Sequence, residues 1–279
     1  MAGIVLKRLI KIKKVVFYTV DYSPVRFKQG ALDWLYRQID RLALQGADFV
    51  WSNNRRVAAL RRRQGLPARK SLLVPNGVTL KSIPQVKRQK NPAIVKLVFQ
   101  GHLTKVKGAW EVIEALARVN QRHHCWQLTI IGSGPFESDL RRLAARKHLT
   151  QKINFLGHLP NQTVLEKMVK YDVGIALYNE AESYTRYCDP VKVKEYLAGG
   201  LAVLMTDVPY VAQLIRRQNL GLVIKPGDAA ALRQAFAKLL TCPKNLAVWQ
   251  RNARETAPAF DWTVIFDQAF IKMKPKHKL

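Results

Sequence analysis

The sequence predicts an α/β protein, doubly wound from residue 93 onward, on three observations. Short β-branched runs alternate with longer amphipathic stretches along most of the 279 residues. The runs are continuously apolar instead of alternating, which is the pattern of parallel strands covered on both faces. Apolar residues make up 48% of the chain against 24% charged, enough to bury a core and too apolar for intrinsic disorder.

Taken in order, residues 14–20 (KVVFYTV) read as a strand and 31–44 as a helix with apolar residues at helical spacing. A short strand at 48–52, a helix at 54–63 and a strand at 71–75 follow. The turn pair Asn76-Gly77 precedes a basic, proline-containing stretch, 81–92, which reads as a linker. Beyond it come strand 94–100, helix 109–119, strand 127–131, helix 136–145 and strand 153–156. Helix 164–170, strand 173–178, helix 191–198, strand 202–206, helix 211–216 and strand 221–224 continue the alternation. Helices at 228–240, 246–256 and 265–273 close the chain. The predicted organisation is a partial N-terminal unit at 1–80, the linker at 81–92, a complete domain at 93–256, and a C-terminal helix and basic tail at 257–279. The tail is placed to pack back on the N-terminal part. Three strands and two helices are thin beside a nucleotide-binding half of about six strands. The first part reads as the tail of a domain whose beginning is absent.

The chain carries 47 Lys+Arg against 19 Asp+Glu, a formal net charge of +28. Residues 1–90 hold 20 basic and 4 acidic side chains, more than half of that excess in a third of the length. Such charge suits an anionic partner: nucleic acid, anionic lipid or a phosphorylated metabolite. No RNP, zinc-finger or basic-aromatic motif supports specific nucleic-acid recognition. Cys125, Cys188 and Cys242 stand far apart, outside any disulfide or zinc spacing, so no metal is expected. No run of roughly 18 apolar residues exists, and the run at 15–20 is short for a secretory signal. The expected location is cytoplasmic.

In an open parallel sheet, ligands bind at the carboxyl ends of the strands, so the strand-to-helix loops are the candidate sites. The first runs from Gln100 to Gly108 (QGHLTKVKG); its glycines permit close backbone approach and its lysines can neutralise phosphate, or the loop is simply solvated. The second, IIGSGP at 130–135, begins like GxGxxG, but Glu137 stands where the third glycine belongs, and a tight turn explains it better. The third leads from Tyr187 into PVKVKEYLAGG. There Asp189 is a candidate N-cap, and the amides of Val191 and Lys192 are candidates to hold an anion, with charge from Lys192 and Lys194. Glu195 stands where its carboxylate either reaches a sugar or ribose hydroxyl or partners a nearby lysine. Among six histidines only His102 lies in a candidate loop. No nucleophile elbow or P-loop is present.

Together, VPNGV (74–78), GHLTKVKG (101–108), IIGSGP (130–135), INFLGHLP (153–160), DVGIAL (172–177), PVKVKEYLAGGLAVLMTD (190–207) and GLVIKPGD (221–228) resemble retaining glycosyltransferases of family 4, or group 1. The stretch from VDYSPVRFKQG to ADFVWSNN is similar to the end of that family's acceptor domain. The resemblance implies a GT-B architecture with a complete C-terminal Rossmann-like donor domain and a partial N-terminal Rossmann-like domain. It implies a UDP- or GDP-linked sugar as donor, a glycan or lipid-linked acceptor, retention of configuration, and no metal or other cofactor. Lys107 would contact the diphosphate and Glu195 the ribose, with the amides of Val191 and Lys192 assisting beside Gly101 and His102.

Three departures accompany it. His102 stands where the family commonly has arginine, and Tyr187 stands eight positions before Glu195, where the family has a second glutamate. Glu182 in the same loop is the substitute weighed for that glutamate, and no other catalytic residue is assigned. Family members also run roughly a hundred residues longer at the N-terminus. The alternatives are a catalytically impaired remnant that binds nucleotide sugar and a basic nucleic-acid-binding protein. The blocks Lys7–Lys14 and Arg61–Arg63, beside Ile4, Val5, Leu9, Ile10 and Ile12, suggest peripheral attachment to an anionic membrane face.

Overall fold

The computed structural model describes residues 12–84, 93–180 and 184–274. They form two units, one of residues 12–77, 184–189 and 262–274, the other of residues 78–84, 93–180 and 190–261. Most of the stretch expected as a linker, 85–92, lies outside the described residues.

The smaller unit is a three-stranded parallel sheet in chain order: β1 (Val16–Thr19), β2 (Phe49–Ser52) and β3 (Ser71–Leu73). Helix α1 (Gly30–Gly46) joins β1 to β2, and α2 (Arg55–Arg63) joins β2 to β3. Asn54 caps α2 by accepting the Val57 N–H at 3.0 Å, which replaces one hydrogen bond missing from a helix start. The last helix, Trp262–Met273, packs Ile265, Ala269 and Met273 with Trp51 of β2 and Val74 just past β3. Lys14 ties down its end by donating to the Met273 carbonyl at 2.7 Å.

Two readings of basic and apolar patterning change here. Arg61, counted in a surface basic block, is 1% exposed, and its guanidinium grips Asp40 with both terminal nitrogens, Nη2 to Oδ1 at 2.8 Å. Gln64 accepts from it at 3.0 Å, and its plane lies over Phe17 and Tyr22. A buried arginine demands such partners, because an unpaired charge away from water is far costlier than a paired one. In α1 the apolar periodicity marks the outer face: Leu32, Leu35, Ile39 and Leu42 are exposed, whereas Asp33, Ala43 and Leu44 are buried. The residues of Lys7–Lys14 before position 12 lie outside the described residues.

The larger unit contains β4 (Val95–Gln100), β5 (Trp126–Ile131), β6 (Ile153–Gly157), β7 (Val173–Ala176), β8 (Ala202–Thr206) and β9 (Gly221–Ile224). All pair in parallel, in the order β6-β5-β4-β7-β8-β9. That order reverses direction between β4 and β7, the switch point of a Rossmann sheet, where a crevice opens at the carboxyl ends. Side chains alternate between two cores. Leu97, Phe99, Leu128, Ile130, Ile175 and Leu204 face one, with α3 (Ala109–Val119), α4 (Glu137–Arg146), α8 (Ala229–Thr241) and α9 (Pro243–Thr256) supplying apolar residues to it. Val98, Ile131, Val203 and Met205 face the other, against α5 (Asn161–Met168), α6 (Val191–Ala198) and α7 (Ala212–Arg217). Apolar runs without alternation are what this double coverage requires. Val78 donates to the Phe260 carbonyl at 2.9 Å and Leu80 to Asp261 at 3.1 Å, which fastens the start of the unit to its end.

Candidate functional site

The loops at the carboxyl edge of the six-stranded sheet are braced by backbone contact. Leu103 donates to the Ser133 carbonyl at 3.0 Å, and Phe136 donates to the Leu103 carbonyl at 3.1 Å. The loops after β4 and β5 therefore lie side by side. A Cβ on Gly132 would come within 1.9 Å of the Gly101 carbonyl oxygen, and one on Gly134 within 2.3 Å of that of Leu103. Gly132 also sits at φ 133°, so the GSGP glycines serve loop-to-loop packing. On the other side of the switch point, Asn179 donates to the Val106 carbonyl at 2.8 Å, and the Thr206 hydroxyl exchanges hydrogen bonds with the backbone of Tyr178. The edge is preorganised.

Glu195 is buried on α6, 3% exposed, with each carboxylate oxygen accepting an amide. Gln100 Nε2 donates to Oε2 at 3.0 Å, and Asn161 Nδ2 to Oε1 at 3.2 Å. Gln100 ends β4 and Asn161 begins α5, so this carboxylate joins elements distant in sequence. The Gln100 backbone N–H donates to the Tyr196 hydroxyl at 3.2 Å, and that hydroxyl donates to the Ile175 carbonyl at 3.1 Å. Burial and the neighbouring Glu195 carboxylate both push the Tyr196 hydroxyl well above the usual phenol range. Tyr196 therefore stays protonated and keeps Gln100 in place. Gln100 Oε1 is buried and has no hydrogen-bond partner.

Gln100 and Asn161 line a cavity of about 350 Å³ of mixed lining, together with Gly101, His102, Ser133 and His158 and the apolar Leu159 and Val164. Of the residues singled out from sequence, Gly101 and His102 stand on its wall, and Glu195 stands behind it, holding the two wall amides. Lys192 Nζ donates to the Gln100 carbonyl at 2.7 Å and lies 5.5 Å from the Tyr178 ring centroid. It thus sits against the Gln100–Gly101 backbone. Lys107 is half-buried in the 3₁₀ turn Lys105–Lys107 at the far end of the same loop. Val191 begins α6 and is partly exposed. A second, mainly apolar cavity of about 420 Å³ lies between the loops after β7, β8 and β9 and helices α3 and α8, with Trp110, Leu177 and Leu232 on its walls.

Two expectations at α6 are corrected. Asp189 does not cap the helix; Pro190 takes the cap position without a side-chain hydrogen bond. The Asp189 carboxylate accepts the Asn76 N–H at 2.8 Å instead, and Asn76 Nδ2 donates to the Asp189 carbonyl at 2.7 Å. Lys194 adds no charge at the helix mouth, being 1% exposed with Nζ 5.6 Å from the Phe260 ring centroid. Glu182 lies outside the described residues. Tyr187 packs edge-on against Tyr22 with centroids 5.2 Å apart, and its carbonyl accepts from Asn54 at 2.8 Å. Among the described residues, no group of three or more His, Cys, Asp or Glu side chains is placed to hold a metal ion.

The structure adds Gln100, Ser133, His158 and Asn161 to the site. None carries a spacing signature. Their only sequence signal is position, at the end of a strand, in the loop after it or at the start of the following helix; Gln100 and Ser133 fall within the loops singled out above.

Residues 81–256 match the sequence model of the family described as glycosyl transferases group 1. An exopolysaccharide phosphotransferase of Streptomyces coelicolor is 27% identical over 206 residues, 73% of this chain and 21% of that protein. A phosphatidyl-myo-inositol mannosyltransferase of Mycobacterium leprae is 30% identical over 203 residues, 70% of this chain and 51% of that protein. The chain thus spans about half the length of the second relative and about a fifth of the first. Among solved structures, Anabaena HepE in complex with UDP is similar in fold, with a TM-score of 0.77 at 19% identity, covering 97% of this chain and 74% of that one.

Proposed function

The chain belongs to the group 1 glycosyl transferases, and on that premise we propose that it moves a sugar from a nucleotide-diphosphate donor, UDP- or GDP-linked, to a glycan or lipid-linked acceptor. The observation that carries this reading is the Gln100–Glu195–Asn161 cluster at a cavity beside the switch point of a Rossmann sheet. In this reading the nucleoside occupies that cavity, with its hydroxyl and base edges meeting Ser133, His158 and the Asn161 amide. The diphosphate passes over Gly101 toward Lys192, Lys107 and the first amides of α6. Negative charge gathers on the diphosphate as the bond to the sugar breaks. Fixed cations and helix N-terminal dipoles stabilise such charge without reorganising. Transfer with retention and without a metal ion belongs to the same proposal.

One observation favours a second reading, binding without turnover. Position 187, where the family places a carboxylate, holds a tyrosine packed on Tyr22. Incubation with UDP-glucose and GDP-mannose, followed by NMR of the anomeric proton, separates the two. Loss of the donor signal with appearance of an axial product, or of free sugar, supports the transferase reading. Donor broadening without conversion supports the binding reading. Absence of any effect on either donor contradicts both.

A further inference from the structure

The apolar cavity of about 420 Å³ is walled entirely by residues of the larger unit. Val106 and Gly108 line it, whereas Gly101 and His102 at the other end of the same loop line the cavity beside Gln100 and Asn161. The two cavities share no lining residue. The floor of the apolar one is the surface of the core: Leu177 and Leu232 are core residues, and Trp110 and Ile224 pack against that core. Gly108 sits at φ 82°, and a Cβ there would lie 2.6 Å from that of Leu177, so the loop is fixed at the cavity's edge. A concavity of this size, apolar with a few polar groups at its rim, is of the kind that holds a small molecule, and no residue of it is used by the donor reading.

The polar groups on its walls are mostly spent on the protein itself. Asn179 Nδ2 donates to the Val106 carbonyl at 2.8 Å, Thr206 exchanges hydrogen bonds with the Tyr178 backbone, and the Asp228 carboxylate accepts the Ala231 N–H at 2.8 Å. Glu114 pairs with Lys147 at 2.9 Å. A sugar or nucleoside, which must replace many hydrogen bonds to water, finds few partners here, whereas an apolar chain finds a wall to cover. Four charged side chains of the lining remain, Glu111, Arg118, Lys225 and Arg233. All four are exposed, and among the described residues none has an ion-pair partner. Three of them are cations. Arg118 and Arg233 stand on α3 and α8, the two helices that flank the cavity, and Glu111 lies about two turns along α3 from Arg118. An apolar chain with an anionic head satisfies both properties at once, the chain on the floor and the head on the cations.

We propose that this cavity binds a small amphiphile with one short apolar chain and an anionic head, a carboxylate or a phosphate, the chain on Trp110, Leu177 and Leu232 and the head on Arg118 and Arg233. The site stands or falls apart from the donor reading. Calorimetric titration tests it with octyl phosphate and octanoate, below their micellar range, against 1-octanol as the chain alone and inorganic phosphate as the head alone. The proteins are the wild type, an Ala229→Phe variant and an Arg118→Gln/Arg233→Gln variant. Ala229 is exposed at the start of α8 and lines the cavity, so a ring there fills the space from its rim and leaves the core intact. The wild type binds one molecule of octyl phosphate or octanoate at least about fivefold more tightly than octanol, and binds inorganic phosphate at least about tenfold more weakly. Binding of only one of the two amphiphiles supports the proposal and assigns the head. Ala229→Phe loses at least about tenfold for the bound amphiphile at an unchanged melting temperature, and the double variant loses about fivefold while leaving octanol within about twofold. Should Ala229→Phe melt lower, the double variant alone decides. A wild type that binds neither amphiphile overturns the proposal, as does octanol or inorganic phosphate binding as tightly as they do. A folded Ala229→Phe variant that binds like the wild type overturns it too, because the ligand then sits elsewhere on a molecule of formal net charge +28. So does a double variant with unchanged affinity for the anionic amphiphiles.

Discussion

Exchanging Glu195 for glutamine separates two roles of its carboxylate. Both oxygens accept amides, from Gln100 at 3.0 Å and Asn161 at 3.2 Å, and the residue is 3% exposed. Glu195→Ala removes both acceptors. Hydrogen bonds to a charged group contribute about 1.5–3 kcal/mol each. Asn161 lines the open cavity and can turn to water, so the loss is about 2–4 kcal/mol. Glu195→Gln behaves differently. Its carbonyl oxygen still serves Asn161, and its new NH₂ faces the NH₂ of Gln100. Because Gln100 Oε1 is buried without a partner, turning that amide over delivers an acceptor to the new donor and exchanges one unpaired atom for another. The glutamine variant should therefore lie within about 1 kcal/mol of wild type in urea unfolding. Nucleotide binding should not be spared, because Glu195 holds the Gln100 and Asn161 amides of the cavity wall and the turned amide changes that wall. By calorimetry, affinities for nucleoside and nucleoside diphosphate should both fall by about tenfold, the equivalent of about 1.4 kcal/mol. If Glu195→Gln unfolds as easily as Glu195→Ala, the amide does not turn and the reasoning fails. It fails equally if neither variant changes nucleotide affinity.

Three further outcomes follow from the packing. Gly174→Ala should destabilise by about 1–3 kcal/mol in urea unfolding, because the new Cβ would lie 2.3 Å from ring atoms of Tyr196, which is fully buried and hydrogen-bonds the Gln100 backbone. Arg61→Ala should cost about 3–5 kcal/mol by leaving Asp40 without its partner, and Arg61→Met combined with Asp40→Leu should recover most of that loss in the same assay. Burial first, and the Asp189 carboxylate second, raise the Tyr18 hydroxyl from 10.0 to about 12. The folded form then keeps a proton that the unfolded chain has lost. That stabilisation is complete below pH 10 and disappears as the pH climbs to about 12, so Tyr18→Phe should show a shallower alkaline loss of stability in pH-dependent thermal melts.

The strands of the larger unit were legible because a parallel strand covered on both faces must be apolar at every position, as IVKLVFQ and QLTII are. The three strands before the linker were found on the same grounds. Which face of α1 turns inward was not legible. The spacing of Leu32, Leu35, Ile39 and Leu42 says only that they share a face, and the partner that inverted it, buried Arg61 on Asp40, is brought there by the fold. Asp189 before Pro190 had the local signature of an N-cap, but the Asn76 backbone, 113 positions away in sequence, competes for its carboxylate and wins. Glu195 was singled out from its place one and a half turns into a helix at the ligand edge, with a sugar hydroxyl or a lysine as its expected partner, whereas its carboxylate accepts from Gln100 and Asn161. Those two amides were not legible as its partners, because single amides at the ends of elements carry no spacing. Their meaning appears only when β4 and α5 bring them to one carboxylate.

The central claim is that the carboxyl edge of the six-stranded sheet holds a nucleoside diphosphate, its diphosphate on Lys107 and Lys192 and its nucleoside beside Gln100 and Asn161. Calorimetric titration of the wild type and of Lys107→Ala with UDP, GDP, uridine and guanosine tests it most directly. One nucleoside diphosphate should bind the wild type. Lys107→Ala should weaken it by about tenfold, as loss of one charge-assisted contact implies, while leaving the matching nucleoside within about twofold. A cooperatively folded wild type that binds none of the four ligands, or a Lys107→Ala variant that weakens nucleoside and diphosphate equally, would contradict the account.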